Sequence, residues 1–294
     1  NVYGSQTSLI AQLEIDYRDG THQVIATDQT FAWSNDGSIR FADLKDGEVF
    51  DARKKPSYQG KAVEIKDSAK NKPHLQASGN VAVREKETFH PQLLIAKDGT
   101  KVLDFGQNIA GYMAFSIQGK KGQKLVLKCG EILDKTGRVD LSSVQETRPA
   151  EGWSQNKLMG APVKGATEVT PKQEITFICS GNEDSYKTSF AVFGFRYAEI
   201  ETDITIRPEN FTAIAVYSDM EIVGAFHCSN PMIDQLYQNT LWSMKGNFLD
   251  LPTDCPTRER LGWTGDAQIF FNTGAYMMDT AAFFKKWLLD MRDA

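Results

Sequence analysis

The densest run of chemically active side chains lies late in the chain. Residues 254–266 read Asp-Cys-Pro-Thr-Arg-Glu-Arg-Leu-Gly-Trp-Thr-Gly-Asp, with Asp250 a few residues before. Asp250, Asp254, Glu259 and Asp266 supply carboxylates, Arg258 and Arg260 supply guanidinium groups, and Trp263 supplies a flat ring. Prolines and glycines interleave with them, as in an irregular loop built to aim side chains. Cleaving a glycosidic bond needs such a set. One carboxylic acid protonates the leaving oxygen, and a second carboxylate activates water or attacks directly. Further acids and an arginine grip sugar hydroxyls, and an aromatic ring packs on the apolar face of the sugar. The competing reading is plain: acids and arginines on a loop form exposed ion pairs that contribute little.

The elements that must position this loop change character near residue 229. Ser229-Asn230-Pro231 is a helix start, with a capping side chain and a proline in the first turn. Met232, Ile233, Leu236, Tyr237, Thr240, Leu241 and Met244 follow at helical spacing, predicting a helix that ends near Gly246. Apolar residues resume at 267–278. A third helix is expected from Asp279 or Thr280, carrying Phe283, Phe284, Trp287 and Leu288.

Before residue 229 the pattern is β. Leu9, Ala11, Leu13, Ile15 and Tyr17 share one face of an alternating strand, followed by the Asp19-Gly20 turn signal and an apolar run at 24–26. Strands are predicted at 101–105, 111–118, 123–129, 174–179 and 196–204, with Leu125, Leu127 and Cys129 on one face of the 123–129 strand. Asp104-Phe105-Gly106-Gln107-Asn108 reads as a turn joining two of them. Segments 51–90 and 138–172 read as long irregular connections. The fold class expected is mainly β with C-terminal α: antiparallel sandwich or jelly-roll units, then helices. Three short helices cannot cover their own apolar faces, and the first strand begins almost at once. The chain is therefore expected to be a fragment of a longer protein.

Composition narrows the partners. A net charge of -5 leaves no basic face for nucleic acid, and no apolar run is long enough to span a membrane. The first residues carry no basic region followed by an apolar stretch. The compartment is left open, with periplasm or cell surface ranked ahead of cytoplasm. Cys129, Cys179, Cys228 and Cys255 are widely spaced, with no Cys-x-x-Cys pair and no Cys-His cluster, so free thiols and no metal site are expected. His22, His74, His90 and His227 are scattered and are assigned no catalytic role. No cofactor is expected. A carbohydrate is the expected partner, and a homo-oligomer is left open.

The order of residues in Asp254–Asp266 resembles the catalytic signature of bacterial α-L-rhamnosidases, the inverting enzymes of glycoside hydrolase family 78. Its flanks are similar too: Gly246-Asn247-Phe248-Leu249-Asp250 before it and Phe283-Phe284-Lys285-Lys286-Trp287-Leu288 after it. Upstream, Asp104–Asn108 with Gly111, Gly122, Glu131-Ile132-Leu133 and Phe193–Tyr197 resemble that family's β-sandwich domain. Residues 8–53 resemble the end of a β-jelly-roll. The resemblance implies three units: 1–80 from a jelly-roll, 81–220 a sandwich, and 221–294 the start of an (α/α)6 catalytic barrel. It implies Glu259 as the general acid, and Asp254, Arg258, Trp263 and Asp266 as sugar-binding residues. Many members carry an extra acid between the arginine and the glutamate; here Arg258 and Glu259 are adjacent. The family's base is a later glutamate, required roughly 6.5–9.5 Å from the acid. The acids after Asp266 are Asp279, Asp290 and Asp293, so the chain alone is expected to be inactive. Two alternatives stand beside this reading: a non-catalytic carbohydrate-binding sandwich protein, and another (α/α)6-barrel glycosidase.

Overall fold

The computed structural model of the protein describes residues 8–64, 77–149 and 167–293. Strands β1 (Gln12–Asp16) and β2 (His22–Ala26) form a hairpin around the Asp19-Gly20 turn, where Gly20 takes a positive φ of 85°. The apolar alternation expected there is real, but it does not mark burial. Leu13 pairs with Ile25 across the hairpin, and the two remain 56% and 41% exposed. Strand β3 (Ala32–Trp33) later pairs with β6 (Gly60–Lys61).

Most other strands join one curled sheet. These are β4 (Ile39–Asp43), β5 (Gly47–Asp51), β7 (Val83–Phe89), β8 (Gln92–Ile95), β9 (Lys101–Gln118) and β10 (Lys124–Gly130). Short strands β11 (Ile132–Leu133) and β12 (Val139–Asp140) pair with each other, as do β13 (Glu146–Pro149) and β14 (Thr167–Thr170). The sheet is completed by β15 (Glu174–Ile178), β16 (Glu183–Lys187), β17 (Phe193–Thr202) and β18 (Phe211–Ser218). Its order is β4-β5-β15-β10-β17-β9-β18-β7, with β8 and β16 also on β9.

Four expectations are corrected here. The sheet is not wholly antiparallel: β5 and β15 run parallel, which draws β4 and β5 into the same sheet as the strands after residue 81. The 51–90 segment is not all connection, because Val83–Phe89 pairs with β18. Likewise 138–172 contributes β12, β13 and β14, while its residues 150–166 lie outside those described. Gly106-Gln107-Asn108 is no turn between strands. β9 runs through it, and its register against β17 shifts between the Phe195–Ile109 and Tyr197–Asp104 pairs. Gly106 adopts φ 77°, and Asp104 pins the irregularity by accepting Arg196 Nε at 2.8 Å, Nη2 at 2.9 Å and the Gly106 N–H at 2.8 Å.

The inward face follows the period of two. Leu125, Leu127 and Cys129 of β10 are fully buried, as are Met113 and, nearly so, Phe115 and Ile117 of β9. All four cysteines are free; Cys129 and Cys179 are buried, Cys228 and Cys255 half-buried. Glu48 on β5 is a buried strut, accepting the N–H groups of Ser189, Phe190 and Ala191 and the Tyr186 hydroxyl.

Three helices follow, α1 (Pro231–Asn247), α2 (Thr264–Met277) and α3 (Ala281–Asp293). Asn230 caps α1 by accepting the Met232 N–H at 3.0 Å, and Pro231 fills the first position. The sheet's core continues without a break into α1 through Leu241 and Met244, then into Phe248, Phe283, Phe284 and Trp287. Phe248 stacks on Phe283 with centroids 4.7 Å apart. Lys245, buried near the end of α1, pairs with Glu87 of β7 at 2.5 Å and lies 4.3 Å over the Trp242 ring. No helix among the described residues is long and apolar enough to cross a membrane.

Candidate active site

The chemically dense segment leaves α1 through a tight hairpin of β19 (Phe248–Leu249) and β20 (Leu251–Pro252), with Asp250 at its apex in the left-handed region at φ 69°. Asp250 is occupied structurally. Its N–H donates to Ser218 Oγ at 3.1 Å, and its carboxylate takes Asn80 Nδ2 and, at 3.2 Å, Lys286 of α3.

The chain then closes a loop on itself. Asp254 N–H donates to the Leu261 carbonyl at 3.2 Å, and Leu261 N–H returns to Asp254 Oδ1 at 3.0 Å. Inside the loop, the Glu259 N–H donates to Cys255 Sγ at 3.2 Å. The loop lies hard against the sheet because Gly194 of β17 has no side chain. A Cβ there would sit 2.6 Å from Thr257 Cγ2 and 2.9 Å from Pro256 Cγ. Gly262 serves the same purpose on the other side, where a Cβ would come within 2.9 Å of Trp287 Nε1.

Glu259 and Trp263 are brought together, the indole Nε1–H donating to Glu259 Oε2 at 2.8 Å. An indole nitrogen can only donate, so Oε2 is the acceptor of this bond. Arg258 Nη2 stands 3.6 Å from the other oxygen, Oε1, beyond hydrogen-bond range, while its Nε faces Glu146 Oε1 at 3.3 Å. Asp254 is half-buried and spends one oxygen on the loop closure. Asp266 is exposed in the first turn of α2, and among the described residues no hydrogen bond or ion pair joins it to the other four. Trp263 is 46% exposed, leaving a ring face open to a ligand. Among the described residues no cluster of three or more His, Cys, Asp or Glu could hold a metal ion.

Arg260 points the opposite way. It is held at φ 53°, its Nε donates to the Thr257 carbonyl at 3.2 Å, and its Nη1 donates to the Leu44 carbonyl at 2.8 Å. Burial pulls its guanidinium down to about 10, against the opposing pull of Cys255 and Asp43.

Three family models match successive parts of the chain: the α-L-rhamnosidase N-terminal domain over 1–88, the bacterial α-L-rhamnosidase concanavalin-like domain over 95–217, and the bacterial α-L-rhamnosidase six-hairpin glycosidase domain over 221–294. The chain belongs to the bacterial α-L-rhamnosidase family. A Streptomyces avermitilis α-L-rhamnosidase is 32% identical over 305 residues, covering 99% of this chain and 27% of its own length. The crystal structure of a Streptomyces avermitilis α-L-rhamnosidase complexed with L-rhamnose matches with a TM-score of 0.81 at 30% identity, over 97% of this chain and 26% of that one. An α-L-rhamnosidase from Aspergillus terreus matches with a TM-score of 0.78 at 30% identity, over 97% and 31%. The chain spans 27% to 30% of the length of the curated relatives it matches.

Several residues around the signature escaped sequence reasoning. Glu146 meets Arg258 from the sheet side, and Asn80 and Lys286 bind Asp250. Lys45 donates to the Glu259 carbonyl at 2.6 Å across 214 residues of sequence. No local pattern announces such partners. The strong signal was the signature alone.

Proposed function

We propose that this chain supplies the acid half of an inverting α-L-rhamnosidase, an enzyme that removes terminal α-L-rhamnose from glycans or glycosides. Glu259 is the general acid, delivering its Oε1 proton to the leaving oxygen. Trp263 lines the sugar subsite and holds Oε2. Asp254, Arg258 and Asp266 contact rhamnose hydroxyls. The base comes from a segment corresponding to the remainder of the relatives' length. The units are 1–80, 81–220 and 221–294, the last of them the start of an (α/α)6 barrel. The observation that carries the reading is the 2.8 Å bond between the signature's indole and its acid, on a turn that leaves the other carboxyl oxygen without a hydrogen bond among the described residues and the indole half exposed.

The test uses a rhamnosidase-length protein carrying this segment. Glu259→Ala is expected to abolish hydrolysis of rhamnosides with poor leaving groups and to impair activated aryl rhamnosides less, since only poor leaving groups need protonation. Equal losses on both substrates would contradict the acid role. A non-catalytic sugar-binding protein would instead lose glycan binding in Trp263→Ala, with no hydrolysis to lose in Glu259→Ala.

A further inference from the structure

We propose that the turn between β4 and β5, residues 43–47, is the positioning element for the acid-bearing turn, acting through Lys45 and Arg260; this rests on Glu259 being the acid. The turn is rigid before it touches the signature. Asp43 Oδ1 accepts the N–H groups of Lys45 at 2.8 Å and Asp46 at 2.9 Å. On its far side Asp46 Oδ1 accepts Thr170 Oγ1 at 2.6 Å and the Lys172 N–H at 3.0 Å. The Lys45 and Asp46 carbonyls accept the N–H groups of Gln173 and Glu174. Gly47 sits at φ 118°, and a Cβ there would fall 1.8 Å from the Glu174 carbonyl oxygen. The turn is thus wedged against the strand that follows it in the sheet and cannot slide.

From this anchor two hydrogen bonds reach the signature, and they bracket the acid. Lys45 Nζ binds the carbonyl of Glu259 itself, and the Leu44 carbonyl receives the guanidinium of Arg260, the next residue. Arg260 is one of few non-glycine residues with a left-handed backbone here, a conformation costing on the order of 1 kcal/mol that must be held from outside. Its two carbonyl acceptors, Thr257 within the loop and Leu44 outside it, do that holding. The peptide after Glu259 is then fixed from a different part of the sheet. The remaining freedom of the acid is its own side-chain rotation, which Trp263 Nε1 limits. Lys45 and Arg260 are positioning residues, since the bonds that hold the turn run to the backbone carbonyls of Glu259, Thr257 and Leu44.

Amide hydrogen exchange on the 294-residue chain reads this directly. In Lys45→Met and Arg260→Lys the amides of 255–262 are expected to exchange about tenfold faster or more, the loss of one charge-assisted bond, while β10 and β15 amides stay protected. Lys45→Arg is expected to restore protection. In the rhamnosidase-length protein, Lys45→Met is expected to lower kcat with KM little changed, because the acid is misaimed while the sugar contacts remain. Unchanged exchange at 255–262 in both variants, or an unchanged kcat in Lys45→Met, would overturn the proposal. Failure of the acid assignment itself would show separately, as full hydrolysis by Glu259→Gln, a variant that leaves the exchange comparison intact.

Discussion

At the scale of single residues, the informative contact is the indole of Trp263 on Glu259. A sugar-binding loop needs an aromatic face, and any large ring supplies one. The Nε1–H adds something a phenyl ring lacks: a donor that fixes Oε2 and so sets the direction of Oε1. Trp263→Phe keeps the ring and removes the donor. In a rhamnosidase-length protein it is expected to lose up to about tenfold in kcat/KM, the value of one hydrogen bond, while Trp263→Ala loses more because the ring goes as well. Parent-like rates in Trp263→Phe would mean that the bond does not aim the acid. The same scale explains Asp250. By residue type it belongs with the other acids of the segment, but its backbone is left-handed and its carboxylate is shared by Asn80 and Lys286. It braces the hairpin that launches the loop.

At the scale of elements, the join between sheet and helices is electrostatic as well as apolar. Lys245 of α1 is buried against Glu87 of β7, and the Tyr217 hydroxyl of β18 donates to the same carboxylate at 2.9 Å. Burial pushes the Glu87 carboxyl up, but the Lys245 and Tyr217 hydrogen bonds outweigh it and leave it below the ordinary carboxylate range. A carboxyl depressed by folding adds stability that is complete above its unfolded pKa, about 4.3, and is lost as pH falls through its folded value. The melting temperature is therefore expected to drop as pH is lowered below about 4.3. Glu87→Gln is expected to melt lower at pH 7, with Lys245 left buried and unpaired, and to lose less on acidification. Melting curves from pH 7 to 3 check this; an equally steep acid decline in the variant would contradict it. Other depressed carboxyls, such as Asp104 beside Arg196, keep part of the decline in both proteins.

At the scale of the whole molecule, the sheet is closed over its core while the helices are not. Met232 and Leu236 of α1 are 79% and 63% exposed, and Ile269 and Tyr276 of α2 are 84% and 81% exposed. These are large apolar side chains left in water, a surface to which hydrophobic probes adsorb. The 294-residue chain is expected to bind a hydrophobic dye while keeping its cooperative melt. It is also expected to release no 4-nitrophenol from its α-L-rhamnoside above a Glu259→Gln control. Release above that control would show that a base within the chain suffices.

Much of this was legible in the sequence because it is written locally. The inward positions of β10, the Asn230-Pro231 start of α1 and the aromatic run of α3 are periodic signals of the burial pattern. The signature at Asp254–Asp266 is a contiguous string whose order is its own evidence. What only the tertiary structure decided depends on contacts between residues far apart in the chain. It turned Asp104–Asn108 from a turn into an irregularity within a strand clamped by Arg196. It left the apolar face of β1 in solvent and brought β5 into the sheet beside β15. It set Lys45 on the carbonyl of Glu259. Residue type and spacing report which side chains can act and which face inward. Which distant backbone each meets is set by sheet order and register, and neither is encoded in any short window of sequence.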